Sequence, residues 1–165
     1  MDDVFIGRVW KFGDEINTDL MVPSTAMLLP ETQMPQYCFS TNRPGWAKLV
    51  SKGDVIFAGK NFGLGSSRPG AKVLKDLGIS CLLAESINGL FLRNCINFGL
   101  PASQCKGICA AFEEGDLAEI QFKKGKILNR TTGIKIEFNP LPDMLLRIIE
   151  AGGIIPMLDA AGYLE

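Results

Sequence analysis

Asp54-Val55-Ile56-Phe57-Ala58 runs directly into Gly59-Lys60-Asn61-Phe62-Gly63-Leu64-Gly65-Ser66-Ser67-Arg68, and Pro69 to Leu77 follows. An apolar run of this length, closed by glycine, reads as a buried strand. Beyond the loop, Ala71, Leu74 and Leu77 fall on one helical face and Lys72, Lys75 and Asp76 on another, with Gly78 as the stop. The order is strand, glycine-rich loop, helix, the opening unit of an α/β core.

The loop has the composition of an anion site. Its glycines allow positive φ and a close backbone approach to a ligand. Ser66, Ser67 and Arg68 fall at the helix entrance, where free N–H groups favour an anion, and the planar cation of Arg68 matches a carboxylate or phosphate. A plainer reading fits the same residues: Ser66 or Ser67 caps the helix and Pro69 fills its first turn. Nucleotide binding is disfavoured, because no Gly-Lys-Ser/Thr follows at the P-loop spacing.

Ser80 to Ala84 reads as a second buried strand, Asn88 to Phe98 as a second helix closed by Gly99, and Leu100-Pro101 opens another extended piece. This alternation implies some parallel strand pairing. Toward the N-terminus, Val4 to Phe12 suits a strand and Asn17-Thr18-Asp19 a polar turn. Pro23 to Pro44 is an irregular excursion with room for one short helix, and a loop that long in a compact domain is more often functional than idle. A short helix is expected around Trp46 to Val50. From Leu117 the pattern changes to residue-by-residue alternation over Ala118 to Phe122, Lys126 to Asn129 and Ile134 to Phe138, a β-meander. A helix over Pro142 to Ala151 follows. With no repeat or linker, residues 1–165 read as one domain.

Composition removes several function classes. A net charge of −1 without a dense Lys/Arg run argues against nucleic-acid or membrane-surface binding. No apolar stretch is long enough to span a bilayer, and no basic region followed by an apolar one opens the chain at Met1-Asp2-Asp3, so the expected location is the cytoplasm. Cys38, Cys81, Cys95, Cys105 and Cys109 form an odd set without Cys-x-x-Cys, as expected of reduced thiols. Cys105 and Cys109 could share a helical face, but a metal there would lack further ligands, because the chain has no histidine. The same absence excludes imidazole bases and Ser-His-Asp or Cys-His catalysis.

Three segments together resemble one family. Gly59 to Arg68 is similar to the Gly-x-Asn-Phe-Gly-x-Gly-Ser-Ser-Arg signature of 3-isopropylmalate dehydratase small subunits, which correspond to the swivelling domain of aconitase. Gly13-Asp14-Glu15-Ile16-Asn17-Thr18-Asp19-Leu20-Met21-Val22-Pro23 resembles that family's Gly-Asp-x-Ile/Val-Asp/Asn-Thr-Asp-x-Ile-x-Pro motif. Ala84-Glu85-Ser86 with Phe91, Arg93 and Asn94 resembles its Ala-x-Ser…Phe-x-Arg-Asn segment.

The resemblance implies an α/β fold of the swivelling β/β/α type. It also implies a large partner subunit carrying a [4Fe-4S] cluster, with no cofactor or metal in this chain. It assigns Ser66 as the base that moves a proton on carbon, Ser67 and Arg68 as holders of a substrate carboxylate, and Asp19 as a member of the polar network. Lys60 and Asn61 are either neighbours of the site or plain loop surface. A helix terminus contributes about 2 kcal/mol at most, roughly 1.5 pKa units, against an alkoxide near about 15.7. Further cations, Arg68 and groups of the partner, are therefore needed.

In the family the loop after the Thr-Asp motif reaches toward the variable substituent of the substrate. Between Lys11 and Arg43 this chain carries no Lys or Arg, and Ala26-Met27-Leu28-Leu29 is apolar. Met27 and Leu28 are therefore expected to meet an alkyl group rather than a third carboxylate, which would be desolvated there without compensation. The alternative is that these residues pack in the core. Pro69-Gly70 stands where many relatives have Glu-His, and the Tyr-Leu pair common near Ala26-Met27 is missing, which leaves dimethylmalate-, methylmalate- and homoaconitate-type substrates beside 3-isopropylmalate. A non-catalytic anion-binding or structural subunit of the same fold is the competing class.

Overall fold

The structure is a computed structural model that describes residues 4–65 and 68–164. One strand organises it. β1 (Val4–Phe12) is long enough to pair with two neighbours through different halves. Val4 to Arg8 pair antiparallel with β5 (Leu117–Gln121), and Val9 to Phe12 pair parallel with β2 (Val55–Ala58).

From β2 the sheet continues in parallel through β3 (Cys81–Ala84) to β4 (Ala102–Gln104). From β5 it continues antiparallel through β6 (Lys126–Asn129) to β7 (Lys135–Glu137), giving the order β4-β3-β2-β1-β5-β6-β7.

The parallel strands bury both faces, as their unbroken apolar runs require. Ile56, Ala58, Leu82 and Ala84 point into one core, with Trp46 of α2 (Trp46–Leu49), Leu74 of α3 (Gly70–Asp76) and Phe91 of α4 (Gly89–Asn97). Val55, Phe57, Cys81 and Leu83 point into the other, which the meander closes with Ala118, Ile120 and Ile127. The meander strands alternate buried and less buried residues, because only one face is covered.

Several elements escaped the sequence reading. The expected polar turn at Asn17 to Asp19 is the start of a one-turn helix, α1 (Thr18–Met21), with Asn17 as its N-cap. The excursion from Pro23 to Pro44 contains a 3-10 helix, Glu31–Tyr37, consistent with the short helix expected there. α5 (Ile108–Ala111) and α7 (Ile154–Ala160) were not foreseen; neither has a side-chain cap, and α5 has too few residues to show a period. The helix expected over Pro142 to Ala151 is α6 (Asp143–Glu150).

Candidate active site

The three motifs meet where the chain leaves the carboxyl ends of β1, β2 and β3. The Gly59 to Gly65 segment lies in the middle and is tied on both sides by main-chain hydrogen bonds. On the β1 side, Glu15 N–H donates to Lys60 O at 2.7 Å, Gly63 N–H to Ile16 O at 2.8 Å and Thr18 N–H to Leu64 O at 2.8 Å. On the β3 side, Phe62 N–H donates to Ser86 O at 3.1 Å, Asn88 N–H to Phe62 O at 2.8 Å and Asn61 N–H to Ser86 Oγ at 2.8 Å. The parallel order of the strands thus continues into their loops as the bridges Asn17↔Leu64 and Phe62↔Ile87.

Gly63 shows why the loop needs its glycines. Its φ is +86°, and a Cβ there would lie 2.2 Å from Phe91 Cγ. The ring of Phe91 in turn packs edge-on against Phe62 at 5.6 Å. Core packing and loop conformation are therefore set by the same contact.

Arg68 is fixed to the first motif. Its Nε lies 2.9 Å from Asp19 Oδ1, its Nη1 donates to Val22 O at 2.7 Å and its Nη2 lies 3.5 Å from Ser24 Oγ. These contacts engage part of a guanidinium fork whose other N–H groups can meet a carboxylate. Asp19 is held in turn by Asn17, whose Oδ1 accepts from Asp19 N–H at 2.8 Å. The structure brings Asp19 and Arg68 together and adds Asn17, Val22 and Ser24 as their support. Only the preference of Asn for a helix N-cap could have marked Asn17 beforehand. Ser66 and Ser67, the expected base and carboxylate ligand, lie outside the described residues.

The helix-entrance reading needs correction. α3 begins at Gly70 with Pro69 at the N-cap position and no side-chain cap, and Gly70 N–H is taken by Arg68 O at 2.8 Å. Pro69 holds the N-cap position, and a seven-residue helix that starts behind a proline offers an anion little dipole.

Met27 and Leu28 lie on the turn beyond Ser24, whose hydroxyl is near Arg68. Ala26 enters the core with no exposure, whereas Leu28 is 91% exposed and Met27 40%. The core-packing alternative holds for Ala26 and fails for these two. Lys60 and Asn61 are exposed, with Asn61 at φ +56°.

The cysteines do not gather. Cys38 and Cys95 belong to one core, Cys81 and Cys105 to the other, and burial pushes their thiols up, Cys105 to about 11. Among the described residues no group of three Cys, Asp or Glu could hold a metal ion. No helix among them is long and apolar enough to cross a membrane.

Comparison with known proteins gives the same frame. The Aconitase C-terminal domain family matches residues 32–104, which include the glycine-rich loop and the Ala84 to Asn94 segment. The isopropylmalate/citramalate isomerase small subunit of Methanocaldococcus jannaschii is 42% identical over 160 residues, covering 96% of this chain and 95% of that one.

This chain belongs to the 3-isopropylmalate dehydratase small-subunit family.

Another member, 3-isopropylmalate dehydratase small subunit 1 of Methanopyrus kandleri, is 41% identical and covers 98% of this chain and 96% of its own. The crystal structure of a 3-isopropylmalate dehydratase (leuD) from M. jannaschii superposes with a TM-score of 0.89 at 31% identity, over 96% of this chain and 95% of that one. The α/β fold described above is therefore the family's fold.

Proposed function

We propose that this chain is the small subunit of a two-subunit hydro-lyase that converts 2-isopropylmalate to 3-isopropylmalate by dehydration and rehydration, in leucine biosynthesis. The carrying observation is that Arg68 is held by Asp19 and Val22 at the point where three loops meet beyond the ends of parallel strands. Open α/β sheets bind ligands at such a crevice.

In this reading Arg68, already oriented, takes one substrate carboxylate together with Ser67. Asp19 keeps the guanidinium from turning away. Ser66 removes and returns the proton on carbon, since the chain has no histidine to do so. Met27 and Leu28, held out toward solvent, face the alkyl substituent, whose transfer onto them releases water from both surfaces. With a short, proline-capped α3, the burden of stabilising an alkoxide at Ser66 falls on Arg68 and on the partner.

That partner is a large subunit; in this chain four cysteines are buried, divided between two cores, and Cys109 is half-buried, a distribution that does not suit an iron–sulfur cluster. A [4Fe-4S] cluster in the large subunit would supply, when bound, the Lewis acid for the substrate's hydroxyl. Residues 1–165 work as a single swivelling unit, supported by the continuity of the sheet through β1. Buried, raised thiols fit a reducing cytoplasm.

A methyl-substituted malate is the second substrate reading, favoured by the citramalate in the name of the M. jannaschii relative. Anaerobic reconstitution with the iron–sulfur large subunit, assayed on a panel of alkyl-malates, tests both. The expected results are turnover only in the complex, a preference for the isopropyl substituent, and loss of more than about a thousandfold in kcat for Ser66→Ala with assembly intact. Turnover by the small subunit alone would overturn the mechanism.

A further inference from the structure

We propose that the open face of the β1-β5-β6-β7 sheet is the docking surface for a second copy of this chain, in a weak two-fold dimer. The face belongs to the antiparallel half of the sheet. It is separate from the loops that carry Asp19 and Arg68, so the dimer does not depend on the reaction those loops perform.

The strand register fixes what the face presents. Val4, Gln121, Lys126 and Glu137 are paired in succession across β1, β5, β6 and β7 and form one row. Ile6, Glu119, Leu128 and Lys135 form the next. Both rows point away from the core, because their neighbours Phe5, Ile120, Ile127 and Ile136 pack into it. On an antiparallel sheet with one solvated face, outward positions are ordinarily polar. Here Val4 is 40% exposed, Ile6 48% and Leu117, in a third row beside Arg8, 38%. Large apolar side chains gathered on one exposed face mark an interaction surface.

The charges on this face suit a copy of itself. The two rows hold two acids, Glu119 and Glu137, and two bases, Lys126 and Lys135, so they carry no net charge. A two-fold axis lying across the strands, between the rows, places each row over the other. Val4 then meets Ile6, Glu137 meets Lys135, the stem of Lys126 lies on Leu128, and the Gln121 amide donates to Glu119. Every contact occurs twice and no like charges are opposed, as an isologous interface requires. Sheets packed face to face stand about 10 Å apart, a gap that paired Lys and Glu side chains can span. Four strands about 4.8 Å apart and three rows about 6.8 Å apart cover roughly 400 Å² on each copy, about half the share of a standard interface. The dimer is therefore concentration-dependent rather than permanent.

Sedimentation velocity of the full chain, from micromolar to submillimolar concentration, tests the proposal. The parent should pass from monomer to dimer. Lys135→Glu sets acid against acid and Glu137→Lys sets base against base, at both ends of the interface. Each should weaken dimerisation by about tenfold or more while melting like the parent, since both positions are exposed. Mixed in equal amounts, the two variants should recover the dimer, because every facing pair in the mixed dimer is again an acid and a base. A parent that stays monomeric, variants that dimerise as it does, or a mixture no better than its components overturns the proposal. Weaker binding of either variant to the large subunit also overturns it, and gives the face to that partner instead.

Discussion

The two halves of the sheet bury their residues differently, and the difference decides where chemistry can sit. β2 and β3 are buried at every position, because helices or the meander cover each face. β5 alternates, and β7 has no fully buried residue. In the parallel half all strands point the same way, so their outgoing loops are neighbours and can be laced together. The antiparallel half sends its connections to opposite ends as tight turns and gathers no such set. The first half carries Asp19, Arg68 and the glycine-rich loop. The second completes a core.

Gly63→Ala is the substitution that breaks this contrast most. The added methyl would strike Phe91 in a backbone conformation that disfavours any side chain. The expected loss is about 2–4 kcal/mol of stability, measurable by denaturant unfolding. A loss below about 1 kcal/mol would mean that loop and core are not coupled through Phe91.

Asp19→Asn should act more narrowly. The amide can still meet Arg68 Nε, and the pair is partly exposed, so stability should change by less than about 1 kcal/mol. Steady-state kinetics should show kcat/KM down by about tenfold, mainly through KM, as Arg68 loses the carboxylate that orients it. A fall in KM would instead reveal Asp19 as a competitor of the substrate carboxylate.

The smallest effect belongs to the other half. Lys135→Ala, on the exposed edge strand β7, should alter stability by no more than about 0.5 kcal/mol and leave turnover of the complex unchanged. Reduced turnover or weaker binding to the large subunit would place the meander in the working surface and end the division drawn here.

Local sequence was sufficient wherever an element carries its own signal. Val55 to Ala58 and Cys81 to Ala84 are strands because four successive apolar residues can be satisfied only with both faces covered. The meander followed from its period of two, and the second helix from the stretch Asn88 to Phe98 closed by Gly99, where the structure adds Asn88 as the N-cap of α4. The loop glycines announce unusual backbone, and the missing histidine by itself narrows the chemistry.

Pairing was decided by the tertiary structure. Nothing local in Val4 to Phe12 states that its first half runs antiparallel to Leu117–Gln121 and its second parallel to Val55–Ala58, since both neighbours offer the same main-chain groups. The support of Arg68 by Val22 and Ser24, more than forty residues earlier, is likewise long-range. So is the burial of Thr18 Oγ1 beneath Gly65. Residue types and periods are properties of short segments and can be read along the chain. A site is a set of distances between segments, and those exist only once the sheet has fixed which loops are neighbours.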